Sequence, residues 1–185
     1  MTKAQLTVLA GPTAVGKGTV VTALTKRYPT LKVSVSATTR DPRPGELNGV
    51  HYYFVSPQDF DAMIERGDML EWALVHGKNK YGTPRGPVDE ALNAGTPVLL
   101  EIDLAGARQV RAKRPDAQFI FLSPPSWEEL ERRLIGRGTE GAEEQARRLA
   151  TARVELDAAS EFDHVVINDD VERAVDELAR LIGLE

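Results

Sequence analysis

Leu6-Thr7-Val8-Leu9-Ala10-Gly11-Pro12-Thr13-Ala14-Val15-Gly16-Lys17-Gly18-Thr19 is the stretch that decides the fold of this chain. Its first five residues form a short apolar run of the length and composition of a buried strand. Helical periodicity starts at Lys17 and continues to Arg27. Between the two, Gly11, Pro12, Thr13, Ala14, Val15, Gly16, Lys17, Gly18 and Thr19 fit the spacing of a loop that cradles phosphate. The glycine pattern alone is modest evidence, because glycine is common; a strand directly before it and a helix directly after it supply the required context. The glycines let consecutive backbone N–H groups converge on phosphate oxygens. The helix N-terminus adds partial positive charge, and Lys17 reaches the β and γ phosphates of a bound nucleotide. A glycine turn beside a solvated lysine is the simpler reading, but it leaves this placement unexplained.

The position after Lys17 commonly offers a hydroxyl to Mg²⁺, and here it is Gly18. No certain protein ligand for the metal follows, so Mg²⁺ is expected to be held by ATP oxygens and water, which suits an ion that sheds its hydration reluctantly. The ending Gly16-Lys17-Gly18-Thr19 resembles the loop of adenylate kinases, which also carry glycine there, and Thr19 still offers a hydroxyl to an α-phosphate.

Outward from this loop, short apolar runs alternate with helical segments. Strands are expected at 6–10, 32–36, 97–102, 118–122 and 164–167, and helices at 17–27, 83–94, 105–114, 127–137, 143–159 and 171–182. Ser126 and Glu129 have capping-box spacing, and Asp170 is a candidate N-cap. Such alternation predicts a five-stranded parallel sheet with helices on both faces. Residues 37–82 break the rhythm with a Pro/Gly loop at 41–45, an alternating strand at 51–55, a short helix opened by Ser56-Pro57 and ending at Gly67, and a strand at 69–75. One domain is expected over 1–185, its core at 1–36, 83–126 and 160–185, with an inserted substrate subdomain at 37–82 and a lid at 127–159.

Composition narrows the chemistry. The chain has 185 residues, 42% of them hydrophobic, enough for one buried core. A net charge of −5 gives no excess of positive charge to hold a nucleic acid. There is no cysteine, and His51, His76 and His164 lie far apart, which excludes disulfides, thiolate zinc sites and cysteine nucleophiles. The apolar start is too short for a signal sequence and no stretch is long enough for a membrane helix, so a cytoplasmic location with no membrane partner is expected.

A second anion site is written in Ser34-Val35-Ser36-Ala37-Thr38-Thr39-Arg40-Asp41-Pro42-Arg43. Arg40 and Arg43 stand close enough to grip a phosphate through bidentate forks, just past a strand's carboxyl end. The segment Glu46-Leu47-Asn48-Gly49-Val50-His51-Tyr52-Tyr53-Phe54 and, later, Lys80-Tyr81-Gly82-Thr83 add phenolic donors. The run from Ser34 to Ser56 resembles the GMP-binding segment of guanylate kinases. The similarity continues through Glu71-Trp72, Tyr81 to Thr83, Glu101 to Gly106, Arg133 to Thr139 and Asn168 to Asp170, nearly the whole chain. The resemblance implies a P-loop kinase fold, with a GMP-binding insertion and an arginine-bearing lid. It also implies that Arg40, Arg43, Tyr52 and Tyr81 grip the GMP phosphate, while Ser36, Glu71, Thr83, Glu101 and Asp103 face guanine. Glu71 alone would pass for a surface glutamate. The chemistry of the base nevertheless agrees: guanine presents two donors side by side to a carboxylate, whereas adenine presents an acceptor.

Arg133 and Arg137 lie four apart on one helical face, and Arg148 follows a glycine-rich loop. Glu129 with Arg133 also fits an ordinary solvated pair. Guanylate kinases use arginines at such positions, with the loop lysine, to clamp the transferring phosphoryl group. The implied reaction moves the γ-phosphoryl of ATP onto GMP or dGMP, with Mg²⁺ as the cofactor and with Asn168 as a candidate contact to adenine. Two other readings stay open: a non-catalytic binding module on the same fold, and a kinase of similar fold acting on another small phosphorylated acceptor. Oligomeric state is not legible.

Overall fold

The computed structural model describes residues 4–136 and 141–185. Strand β1 (Leu6–Ala10) leads through the glycine-rich loop to α1 (Lys17–Arg27) and β2 (Lys32–Val33). The chain continues as β3 (Ala37–Thr38), β4 (Tyr53–Phe54), α2 (Pro57–Glu65), β5 (Met69–Val75) and β6 (Asn79–Pro84). Next come α3 (Arg85–Asn93), β7 (Val98–Glu101), α4 (Leu104–Lys113) and β8 (Gln118–Ser123). Helices α5 (Trp127–Ile135) and α6 (Ala142–Asp157), a 3₁₀ turn (Ala158–Glu161), β9 (His164–Ile167) and α7 (Val171–Ile182) complete the described chain.

The main sheet has five strands in the order β2-β7-β1-β8-β9, and every pairing in it is parallel. β1 sits at the centre with all five of its residues buried, as an unbroken apolar run requires when helices cover both faces. Alternation along β1 sends Leu9 to one face, where it meets Val20, Leu24, Val175 and Leu178 of α1 and α7. Val8 points to the other, where Val88, Leu92 and Val110 of α3 and α4 close over it. The fold class read from the sequence therefore stands.

A second sheet of four strands, ordered β4-β3-β6-β5, is drawn from residues between 37 and 84. Its strands pair antiparallel except β3 with β4. Phe60 of α2 packs beneath it against Ala37, Met69 and Trp72. Here the sequence reading needs correction. The helix expected from Thr83 starts at Arg85, and Thr83 instead lies in a strand that ends at Pro84. Pro84 follows Thr83, which disfavours the helical region for the preceding residue, and Pro84 itself is extended at φ −63°, ψ 136°. The strand expected at 51–55 pairs with β3 over Tyr53–Phe54 alone, and Tyr52 makes an isolated bridge to Asn48. The one expected at 32–36 pairs over Lys32–Val33, although the Ser34 N–H still donates to the Leu99 carbonyl at 3.1 Å.

Helices α5 and α6 carry a small cluster of their own, Leu130, Leu134 and Ala152 with Trp127, Leu149 and Leu156 around them. The Ser126 side chain accepts from the Glu129 N–H at 3.1 Å, and Asp170 accepts from the Arg173 N–H at 3.0 Å, so both expected N-caps are present.

Candidate active site

The loop between β1 and α1 is shaped to receive an anion. Gly16, at φ 95°, is left-handed and precedes α1 without any side-chain cap, so the first-turn N–H groups are not taken by a capping side chain. Ala14 is also left-handed, at φ 70°, a conformation that non-glycine residues hold mainly at functional sites. The loop is pinned through the Val15 carbonyl. It accepts from Asn168 Nδ2 at 2.8 Å and from Arg133 Nη1 at 3.2 Å. Asn168 is buried, and its amide nitrogen is committed to this bond.

Lys17 Nζ donates to the Gly11 carbonyl at 2.7 Å. Burial pushes its pKa down, and the carboxylates of Glu155, Glu101 and Asp103 oppose that shift by favouring the ammonium. Glu101 stands beside the loop, its Oε1 3.9 Å from where a Cβ on Gly18 would lie. Glu155, on α6, has its pKa raised by burial and drawn back by Lys17 and the Thr13 backbone N–H. Its Oε1 is buried with no hydrogen-bond partner. The sequence reading assigned Glu155 nothing, although it lies seven residues, two helical turns, beyond Arg148 and so on the same face. Gly18 and Thr19 are exposed in the first turn of α1.

On the second sheet, Glu71 and Thr83 face each other across β5 and β6. Thr83 Oγ1 donates to Glu71 Oε1 at 2.8 Å, and both residues are buried. Burial drives the Glu71 pKa up, against the pull of the Thr83 hydroxyl. Asp103 caps α4 by accepting from the Gly106 N–H at 2.8 Å, and its charge adds to the upward shift of Glu71.

A third group gathers around Arg40. Its guanidinium makes a bidentate pair with Glu46 at 2.9 and 3.0 Å and lies 5.2 Å from the centre of the Tyr52 ring; Glu46 first, and Tyr81 after it, favour its charged form. The Tyr52 and Tyr81 rings meet edge to face at 5.9 Å. Glu46 also accepts from the Arg43 N–H at 2.7 Å, and these bonds, the Arg40 pair first, hold its pKa down at about 2. Glu46 is thus a brace for the arginine loop that the sequence reading quoted but gave no role. The Arg43 residue is exposed, and the Ser36 carbonyl accepts from the Tyr53 N–H at 2.8 Å.

Among the lid arginines, Arg133 pairs with Glu129 at 3.4 Å as well as gripping the loop. Arg148 lies 3.9 Å from Glu144 and lines a cleft with Thr13, Leu134, Arg147 and Thr151. Arg137 lies outside the described residues. Among the described residues no cluster of three or more His, Asp or Glu side chains could hold a metal ion, and no helix is long and apolar enough to cross a membrane.

A parallel sheet with an anion-receiving loop at the end of its central strand defines the P-loop kinase fold. Shikimate kinase from Bacteroides thetaiotaomicron shares that fold, with a TM-score of 0.50 at 14% identity over 97% of this chain and 98% of that one. The crystal structure of guanylate kinase from Anaplasma phagocytophilum is closer, with a TM-score of 0.73 at 32% identity, covering 99% of this chain and 86% of that one. The family profile described as guanylate kinase matches residues 3–185. The guanylate kinase of Leifsonia xyli subsp. xyli is 62% identical over 177 residues, 96% of this chain and 70% of that protein. That of Rhodococcus jostii is 58% identical over 181 residues, covering 97% and 87%. This chain belongs to the guanylate kinase family.

Proposed function

We propose that this protein is a cytoplasmic enzyme that transfers the γ-phosphoryl group of ATP to GMP, and to dGMP, giving ADP and GDP or dGDP. The observation that carries the reading is the buried Glu71, held by Thr83 and accompanied by Asp103, in a molecule that also presents Lys17 in a phosphate-cradling loop. A carboxylate so placed accepts both donors of guanine's pairing edge. Facing adenine it would be left unpaired, a mismatch that costs roughly 10⁴-fold in discrimination.

An oxygen of the GMP phosphate, already anionic, attacks the γ phosphorus while the bond to the ADP oxygen breaks, so no histidine base is needed. Gly11 to Thr19 cradle the ATP phosphates, and Asn168 fixes the loop. Arg40, Arg43, Tyr52 and Tyr81 hold the GMP phosphate; Ser36 and Glu101 complete the acceptor side. Lys17, Arg133, Arg137 and Arg148 offset the charge that spreads over the passing phosphoryl group. Magnesium, when bound as MgATP, neutralises phosphate charge. The donor set fits an ion held mainly by ATP and water, because Gly18 has no hydroxyl and Glu101 is the carboxylate beside it. The division of labour we propose is a core of residues 1–36, 83–126 and 160–185, a GMP-binding insertion at 37–82 and a lid at 127–159; neither nucleic acid nor membrane is a partner.

The test is ADP release with MgATP and, separately, GMP, dGMP, AMP, UMP and CMP. Turnover is expected with GMP and dGMP. Silence with every acceptor would sink the assignment and leave a binding module or a kinase acting on a non-nucleotide acceptor.

A further inference from the structure

The carboxylate that reads the base sits on the outer strand of the small sheet, and its surroundings on the open side come from a helix of the large one. β5 pairs with β6 on one side only, so its other edge carries main-chain groups with no strand to meet them. At Trp72 both are answered by one side chain. The Trp72 N–H donates to Gln109 Oε1 at 3.0 Å, and Gln109 Nε2 donates to the Trp72 carbonyl at 2.9 Å. A primary amide here supplies both bonds that a neighbouring strand residue would give. Three residues earlier, the Met69 carbonyl accepts from Lys113 Nζ at 2.6 Å. Gln109 and Lys113 are one turn apart on α4, hence on one face.

Between these two anchors the ladder slips: Met69 pairs with Pro84 but Glu71 with Thr83, a register shift of the bulge type. A bulge re-aims the side chains next to it and disrupts the ladder that would otherwise fix them. Further up the same face of α4 is Gly106, where a Cβ would lie 3.2 Å from Glu71 Oε2 and 3.1 Å from Asp103 Oδ1. A larger residue there would require the two carboxylates to give way by a few tenths of an ångström.

We propose that this face of α4 is a template that sets the aim of Glu71, with Gln109 and Lys113 as positioning residues for guanine recognition. The proposal rests on the reading of Glu71 as the base-reading group. The two side chains hold the β5 main chain on either side of Glu71, so losing them frees the bulge without removing any group assigned to ATP. The Lys113 charge also favours the ionised form of Glu71.

Steady-state kinetics on the full-length protein tests this, with GMP and AMP as acceptors and with the KM for ATP measured alongside. Gln109→Leu is expected to raise the KM for GMP about tenfold or more, with the KM for ATP unchanged within about twofold. Lys113→Met moves the same way, and Lys113→Arg, which can still donate to the Met69 carbonyl, restores most of the loss. In a Glu71→Gln background, Gln109→Leu should add little to the loss of GMP preference over AMP. Should Gln109→Leu fold poorly, Gln109→Glu keeps the acceptor for the Trp72 N–H but sets a carboxylate oxygen against the Trp72 carbonyl, and is likewise expected to raise the KM for GMP with the KM for ATP unchanged. An unchanged KM for GMP in these variants, or equal rises for ATP and GMP, overturns the positioning role. A Glu71→Gln enzyme that keeps its GMP preference overturns the base-reading assignment and this proposal together. Loss of preference in Glu71→Gln, with none in Gln109→Leu, removes only the role of α4.

Discussion

Glu71 must be ionised to accept two donors, yet burial raises its pKa in the folded protein. The sign of the consequence is fixed: the neutral form is favoured earlier on acidification, so the KM for GMP should climb as pH falls toward a value above the usual carboxylate range. GMP's own phosphate titrates near pH 6, about the second pKa of a phosphomonoester. Comparison with Glu71→Gln, which keeps the phosphate titration and loses the carboxyl one, isolates the protein's part; identical pH profiles would contradict it. Glu46 behaves oppositely. Its pKa is held at about 2 against an ordinary 4.5, so its contribution to stability is complete above the ordinary value and is lost as pH falls from there toward 2. The difference in unfolding free energy between the wild type and Glu46→Gln should therefore shrink over that interval in acid titrations. Lys17→Met is expected to lower kcat by about 10²–10³, the size of effect seen when one donor to transition-state charge is removed. GMP affinity measured by calorimetry should hold; a matching loss of GMP binding would argue against a role on the ATP phosphates.

At the scale of elements, the loop that receives phosphate depends on two others that reach it from the far end of the chain. Asn168 follows β9 and Arg133 lies in the last turn of α5, and both hold the Val15 carbonyl. Asn168→Ala leaves that carbonyl to Arg133 alone and is expected to raise the KM for ATP roughly fivefold to tenfold. Preference for ATP over GTP as donor should survive; its loss would favour the adenine contact expected from the sequence. Ser126→Ala removes the α5 cap at a cost of about 1 kcal/mol, and so about 2–4 °C in Tm for a chain of this size. What could be read in advance follows from these distances. β1, β8 and β9 are apolar runs, and α1 and α7 begin and end on local signals, so a window of sequence contains them. β6 escaped notice because Lys80-Tyr81-Gly82-Thr83 has little apolar character and is a strand only because β3 and β5 flank it. The left-handed His76 and Gly77 were the one turn signal available. The phosphate loop was legible because its contacts are local. Asn168 on Val15 and Glu155 opposite Lys17 were not, since each joins residues more than a hundred positions apart.

For the whole molecule, the small sheet is tied to the main one, because Leu70 of β5 lies in the core cluster under α3 and α4, whereas the α5–α6 pair has an apolar cluster of its own. A pair of helices that does not share the main core can move against it at little cost. Closure is expected when both nucleotides bind, seen as a fall in the radius of gyration by small-angle scattering; superimposable curves with and without them would count against it. The central place of β1 has one more consequence, for the order of biosynthesis. β1 is synthesised well before its neighbours, residues 98–101 and 118–121. Until residues 98–121 have been translated, Leu6–Ala10 is an apolar segment lacking one or both of its strand partners that a nascent-chain chaperone could hold. Ribosome-arrested chains of increasing length should gain protease resistance in this segment only once β8 has cleared the exit tunnel. On that schedule a growing chain is blind to nucleotide until β8 has emerged, long after the residues of its phosphate loop have been made.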